Sequence, residues 1–450
     1  MKNFLRIPVA TAVFVAASLP LSAQTGLTIY NSGRVLVRRT LPIAVPKGTS
    51  EQRVNLGTLD PATIFPLDPA VSLLGATYDD GTSGMWRAVG REILFMRGTG
   101  AGDTVRVTLL SVDPERYRYA DGTVGVQPPG MARFPADVVP LEPTLKLSLA
   151  STKSLPSLGL AYFTDGASWQ ASYQVILEGK DARVSGSAVV QSGKLNVSEA
   201  DLQLLAGDVG VAAKSGLSVR GGRMEAQAIS MEGDFAGVQR IGEAHLYSVP
   251  GRVTLRPGET SLVALFEPTN APVAKRLVVR SGLPYWGGLP QYGDEQEVPV
   301  AVTYVVSHKL KTPFGDTPVP GGTARIYQKD AGGRLQLIGE SSLGHTAAGQ
   351  PMELDAGTAF DITAKRTQTT YTITRDKNGK STATADYRVT LANATDSLAT
   401  VDVYEERGGD WSVLQSSVPA DRVSSTRVRF RVDVPAKGET TITYQIRASW

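Results

Sequence analysis

The chain has 450 residues, 46 Lys and Arg against 43 Asp and Glu, and no cysteine. Without cysteine there can be no disulfide, thiolate metal site, cysteine nucleophile or lipoprotein anchor. The charge balance lacks the basic footprint of a nucleic-acid binder, so that partner class is excluded from the expectations.

Residues 1–23 read as a secretory signal peptide. Lys2 and Arg6 give a positive start, residues 7–21 are an apolar run broken by Pro8 and Pro20, and Leu21-Ser22-Ala23 offers a small residue for cleavage. The apolar core is short for a membrane span and no basic stop-transfer flank follows. The expectation is an exported protein with no integral span after cleavage. Export removes Lys2 and Arg6 and leaves 44 bases against 43 acids. The remaining chain, about 425 residues, suggests two to four domains on the usual size prior. It is long enough to be held by its cores alone.

Nearly every later segment alternates with the two-residue period of a strand. In the N-terminal part, 27–30, 34–41 and 51–56 are expected strands, with Val35, Val37 and Arg39 alternating in the second. Residues 91–96 and 104–110 flank Gly98-Thr99-Gly100-Ala101-Gly102-Asp103, which reads as a hairpin turn. A nucleotide fingerprint would need a helix after it, and a strand pattern follows instead. Residues 123–126 and 145–149 complete this unit, with prolines at 128, 129, 135, 140 and 143 along the crossing.

The middle of the chain continues the pattern. Residues 159–208 hold a Trp169-x-x-x-Tyr173 pair and three expected strands at 170–178, 182–191 and 202–205, with a helical turn at 198–202. Residues 212–240 lack any period and read as a flexible loop. Strands resume at 245–249, 252–255, 261–266, 276–280 and 300–307, the last two separated by a Gly/Pro/Tyr/Trp loop. A hairpin at 323–328 and 334–339 follows, then strands at 352–354, 359–364 and 368–375. Residues 383–392, 399–406, 412–416, 426–434 and 439–448 form a closely spaced terminal set suited to an immunoglobulin-like sandwich. The expected fold is all-β, a multi-domain β-sandwich architecture. The expected divisions are a signal peptide at 1–23, an N-terminal β domain at 24–142, a central sandwich at 143–368 and the terminal sandwich at 369–450.

No set of residues announces catalysis. His245, His308 and His345 are far apart, no HExxH pair, GxSxG elbow or P-loop occurs, and no metal or cofactor is expected. Asp79-Asp80-Gly81 and Asp165-Gly166 lack the alternating acids of a calcium loop and read as turns. Arg427, Arg429 and Arg431 alternate with Val428, Phe430 and Val432, one solvated face and one buried face. Ile442, Tyr444, Ile446, Ala448 and Trp450 form a terminal apolar face of the kind that ends an outer-membrane barrel, but aromatics are only 7 % and prolines interrupt the strand series, which favours a soluble sandwich. Tyr285, Trp286 and Tyr292 could stack on sugar rings if exposed, or could cover one end of a sandwich.

Several short motifs, in a fixed order along the chain, carry a resemblance to a known family. They are Leu27-Thr28-Ile29-Tyr30-Asn31 with Gly33, Leu141-Glu142-Pro143-Thr144-Leu145, Trp169-Gln170-Ala171-Ser172-Tyr173 and Leu202-Gln203-Leu204-Leu205-Ala206-Gly207-Asp208. Further along come Pro320-Gly321-Gly322 with Arg325-Ile326-Tyr327, Ile338-Gly339-Glu340, Gly344-His345-Thr346 and Gly357-Thr358-Ala359-Phe360-Asp361-Ile362. Each is short; their order covers most of residues 27–450, and together they resemble the mucoidy-inhibitor-A-like family of bacterial secreted proteins, domain of unknown function 4139. The resemblance implies a β-rich periplasmic or surface protein with no established activity and no catalytic residues to carry over. Some members have a long coiled coil after the N-terminal unit, and no heptad repeat occurs here between Asp113 and Leu141.

The leading expectation is a non-enzymatic scaffold with an interaction role in the cell envelope, its partner an envelope protein or polysaccharide. A second is a carbohydrate- or polymer-binding module using Tyr285, Trp286 and Tyr292. A third is a hydrolase assembled around His345 and Asp361.

Overall fold

The computed structural model describes residues 24–81, 84–97, 103–135, 138, 142–207, 238–281 and 295–450. The expected loop at 212–240 falls almost entirely outside them. The protein is all-β, a multi-domain β-sandwich architecture. Among the described residues no helix is long and apolar enough to cross a membrane. The chain divides into two compact units. One comprises Met1–Ala167, Ser192–Gln203 and Gly251–Gly258, and the other Ser168–Gln191, Leu204–Pro250 and Glu259–Trp450.

In the first unit the Gln24–Tyr30 strand pairs antiparallel with Arg34–Leu41, which pairs in turn with Leu158–Asp165. The register sets Leu27 opposite Val37 opposite Tyr162, and Ile29 opposite Val35 opposite Thr164. Because side chains alternate across a strand, these rows share one face, and Leu27, Ile29, Val35, Val37 and Tyr162 are all buried there. A three-stranded sheet has Thr144–Ser151 at its centre between Gly48–Val54 and Val71–Asp79. Its buried stripe is Leu145, Leu147 and Leu149. A small five-stranded sheet spans Glu92–Met96 to Met131–Arg133 around a separate core of Ile93, Phe95, Val107, Leu109 and Tyr117. Phe95 and Tyr117 meet edge to face at 5.3 Å. Its first two strands, Glu92–Met96 and Thr104–Val112, are antiparallel and adjacent, as a hairpin requires, although residues 98–102 between them lie outside the described set.

One local expectation is corrected. Residues 198–202 are not a helical turn but part of a strand, Val197–Ala206. Glu199 has φ 51°, and its N–H donates to Thr254 Oγ1 at 3.3 Å. This single left-handed residue adds one step to the pleat, so Val197 and Ala200 are buried three positions apart, the spacing of a helix without its hydrogen bonds.

In the second unit, Ala167–Glu178 is flanked by Asp181–Ser192 and, in parallel, by Gly322–Lys329, which makes a hairpin with Leu335–Leu343. The 23-residue strand Glu259–Ser281 pairs antiparallel with Val300–Val306 and parallel with Ala399–Glu406. Ala399–Glu406 continues to Arg427–Val434, antiparallel. A second sheet, ordered Gln296–Val298, Ile362–Arg375, Ser381–Asn393, Gly438–Ser449 and Asp410–Ser416, packs against this one. Their shared core contains Val401, Val403, Phe430 and Val432 from one sheet and Tyr387, Val389, Ile442, Tyr444 and Ile446 from the other. The two-residue alternation of all these strands is what makes a sandwich: one face supplies the core and the other meets water. Arg427, Arg429 and Arg431 stand on the outer face as expected, and pair with Glu406, Asp421 and Asp402 at 2.7, 2.8 and 4.0 Å.

Candidate functional site

The second unit contains a groove built from a proline-containing strand and a tightly bonded loop. Pro268 and Pro272 fall within Glu259–Ser281. Neither proline N can donate to a ladder, so at these two positions the strand offers its neighbours only carbonyls. After Val300–Val306 the chain crosses the same region: Ser307 N–H donates to Pro272 O at 2.8 Å. The loop then ties itself. Thr312 Oγ1 donates to Lys309 O at 2.8 Å and accepts from Gly315 N–H at 2.9 Å, while Asp316 Oδ1 accepts from Lys311 N–H at 2.8 Å. A Cβ on residue 315 would lie 1.7 Å from Lys309 O, so the loop closes only with glycine there.

His308 anchors this loop from beneath. It is buried, with Nδ1 3.0 Å from Gln350 O and Nε2 3.0 Å from Thr317 O. Phe314 stands edge-on to its ring at 4.7 Å. Phe314 also meets Phe266 at 5.3 Å, and Phe266 stacks on Tyr173 at 6.3 Å. Tyr173 Oη donates to Pro320 O at 2.6 Å, and burial, then Tyr247, pushes its phenol pKa up. The groove above these rings encloses about 530 Å3, with Phe266 and Phe314 as its floor and Glu267 and Lys309 among its lining. An apolar floor with a few polar groups at the edge is the make-up of a recognition cleft. Two of its threonine hydroxyls are committed to the loop: Thr312 Oγ1 bonds Lys309 O and Thr317 Oγ1 bonds Pro313 O.

Of the residues singled out from sequence, Tyr285, Trp286 and Tyr292 lie outside the described residues. His345 is exposed, and its Nδ1 accepts from Gly321 N–H at 3.1 Å. Asp361 is exposed too, its carbonyl accepting from Ala394 N–H at 2.8 Å. Neither lines the groove. His245 is half-buried on Ala244–Leu255. Among the described residues no group of three or more His, Asp or Glu is placed to hold a metal ion.

The most heavily buried charges form a cluster inside the sandwich. Glu405 is wholly enclosed and takes Arg366 Nη2 at 2.7 Å, with the Tyr444 hydroxyl donating to the same carboxylate oxygen. Arg366 lies 3.9 Å over the Tyr387 ring, and Arg407 Nη2 is 3.6 Å from Glu405 Oε2. Burial is the largest single influence on the Arg366 pKa and would lower it, but the Glu405 charge together with Tyr444 and Tyr387 outweighs it and the net direction is up. Burial pushes the Tyr444 phenol up, and the Glu405 carboxylate adds to this. The cluster bridges the two sheets, and its enclosure keeps substrate from it.

Sequence reasoning missed the groove because its parts are scattered over residues 265–317. The one local signal was Pro313-Phe314-Gly315-Asp316, an aromatic inside turn chemistry. No family model matches the chain, and no curated protein matches its sequence.

Proposed function

We propose that the protein is an exported scaffold of the bacterial cell envelope that works by holding a partner rather than by turning over a substrate. Its relationship to the mucoidy-inhibitor-A-like secreted proteins is part of this proposal, supported by the ordered motifs from Leu27 to Ile362. The observation that carries the interaction role is the groove over Phe266 and Phe314. Its loop is preformed by its own hydrogen bonds, so binding there costs little ordering entropy. The partner is an envelope protein, engaged through apolar contact with the two rings and charge contact with Glu267 and Lys309. A hydrolase acting through His345 would need a nucleophile beside it, and a backbone N–H occupies the ring's Nδ1 instead.

A photo-crosslinking residue at Asn270, which lines the groove, and at Asp376, in an exposed turn of the second sheet, tests this in cells. The expected result is one dominant envelope-protein adduct from position 270 that is lost in Lys309→Glu and absent from position 376. Equal labelling from both positions would remove the groove from the interaction. A glycan array with the parent and a Tyr285→Ala, Trp286→Ala, Tyr292→Ala variant addresses the polysaccharide alternative: binding lost only in the variant would replace the scaffold reading with a carbohydrate-binding one.

A further inference from the structure

The first unit holds a charged group where its fold calls for an apolar one. On Arg34–Leu41 the inward positions are Val35, Val37 and then Arg39, which stands opposite Thr25 on one side and Leu160 on the other. Arg39 Nε is enclosed and has no hydrogen-bond partner among the described residues. Arg39 as a residue is half-buried, and a charged donor atom enclosed without an acceptor is costly, so such an atom is an indication that an acceptor belongs beside it.

The surroundings of Arg39 form a preorganised cavity of about 150 Å3. One wall is Leu56-Gly57-Thr58, fixed because Tyr162 Oη donates to Leu56 O at 3.3 Å and Thr164 Oγ1 to Thr58 O at 2.7 Å. The facing wall is the turn at residues 194–197. Gly166 O accepts the N–H groups of Gly193 and Lys194 at 2.7 and 3.1 Å, and Ser192 Oγ donates to Leu195 O at 2.7 Å. This turn places the exposed Lys194 and Asn196 side chains among the lining residues. Asp165 is the one carboxylate in the lining, against the two cations Arg39 and Lys194. Neither cation forms an ion pair with a described residue. The volume is below the roughly 300–1,000 Å3 of pockets for drug-sized ligands, so the occupant is a small group.

We propose that this cavity binds a single oxyanion group, a carboxylate or a phosphate, through the Arg39 guanidinium and the Lys194 ammonium. The Asn196 amide is a third donor. A guanidinium presents its N–H groups in a planar fork that matches carboxylate and phosphate oxygens, and a lysine adds a movable point charge. The bound group comes either from free phosphate or from the acidic residue of an envelope polymer, whose chain would leave through the mouth beside Lys194. This site is distinct from the groove over Phe314, and its failure leaves that reading standing.

Thermal unfolding of the protein in inorganic phosphate, sodium glucuronate and sodium chloride, at equal ionic strength, tests it. A ligand that binds only the folded state raises the melting temperature in a saturable way. The expected result is such a rise with phosphate or with glucuronate and none with chloride. A response to phosphate alone assigns a phosphoryl ligand, and a response to glucuronate alone assigns a carboxylate. Lys194→Met and Arg39→Met should each weaken the half-saturating concentration at least tenfold, and Asp165→Asn should strengthen it. The proposal is overturned if neither anion exceeds chloride, or if Lys194→Met, a change at an exposed side chain that leaves the core untouched, responds as the parent does.

Discussion

Trp169 is 5 % exposed, its ring tilted against Tyr247 at 6.4 Å, and its indole N–H is enclosed without an acceptor. Trp169→Ala should therefore cost about 3–5 kcal/mol from lost burial and the cavity left behind. Trp169→Phe should cost clearly less than that, because it keeps most of the ring and deletes the unmet donor. Urea unfolding of both variants checks the ordering; an alanine variant with the parent's midpoint would show that the ring contributes nothing to the core. The Arg366–Glu405 pair makes the opposite point. Glu405→Gln leaves two arginines enclosed with no carboxylate, and a loss of about 3–5 kcal/mol is expected from stranding a buried charge. A guanidinium midpoint equal to the parent's would sink that expectation. Trp169 was legible from its place in an alternating strand. Arg366 and Glu405 were not, because each reads as an ordinary charged residue until a strand 39 positions away supplies its partner.

At the scale of strands, the alternation rule placed most elements well, since it depends only on which face meets water. It slipped at Glu199, where one left-handed residue imitated helical spacing. It also could not show direction or neighbour. Ala167–Glu178 lies parallel to Gly322–Lys329, with Ala171 opposite Gly322. A Cβ on residue 322 would stand 2.1 Å from Ala171 O, a backbone atom that cannot step aside without opening the ladder. Gly322→Ala should cost about 1–3 kcal/mol or more, as overpacking does, with a lower chemical-denaturation midpoint. A Gly322→Ala protein as stable as the parent would mean that the parallel pairing is not as described. The requirement at 322 was visible in sequence only as one glycine of Pro320-Gly321-Gly322; the reason for it sits across the sheet.

At the scale of the whole molecule, buried tyrosines tie stability to alkaline pH. Burial raises the phenol pKa values of Tyr162, Tyr173, Tyr247 and Tyr387, and burial together with the Glu115 carboxylate pushes Tyr117 up to about 12. In the unfolded chain these phenols ionise near pH ~10. Above that value the unfolded state sheds protons that the folded state retains, so stability is whole below it and falls as pH rises toward 12. Melting temperatures measured from pH 8 to 12 should drop steeply in the upper half of the range, in step with phenolate absorbance on unfolding. A flat profile would refute the linkage.

The two compact units are not two stretches of sequence. Short segments, Ser192–Gln203 and Gly251–Gly258, return to the first unit after the chain has entered the second. The core of the last sandwich likewise takes Leu277, Val279, Val300 and Val302 from well upstream of its closely spaced terminal strands. What the sequence by itself determined was strand content and the apolar face of each strand, because these follow from a two-residue period written in neighbouring residues. Even the inward position of Arg39 was written there, in the alternation of Val35, Val37 and Arg39. Tertiary structure decided which strands became neighbours, which charges lost their water, and where a cavity remained between walls drawn from residues 56–58 and 194–197. Those properties depend on contacts between residues far apart in the chain, and no local period encodes them.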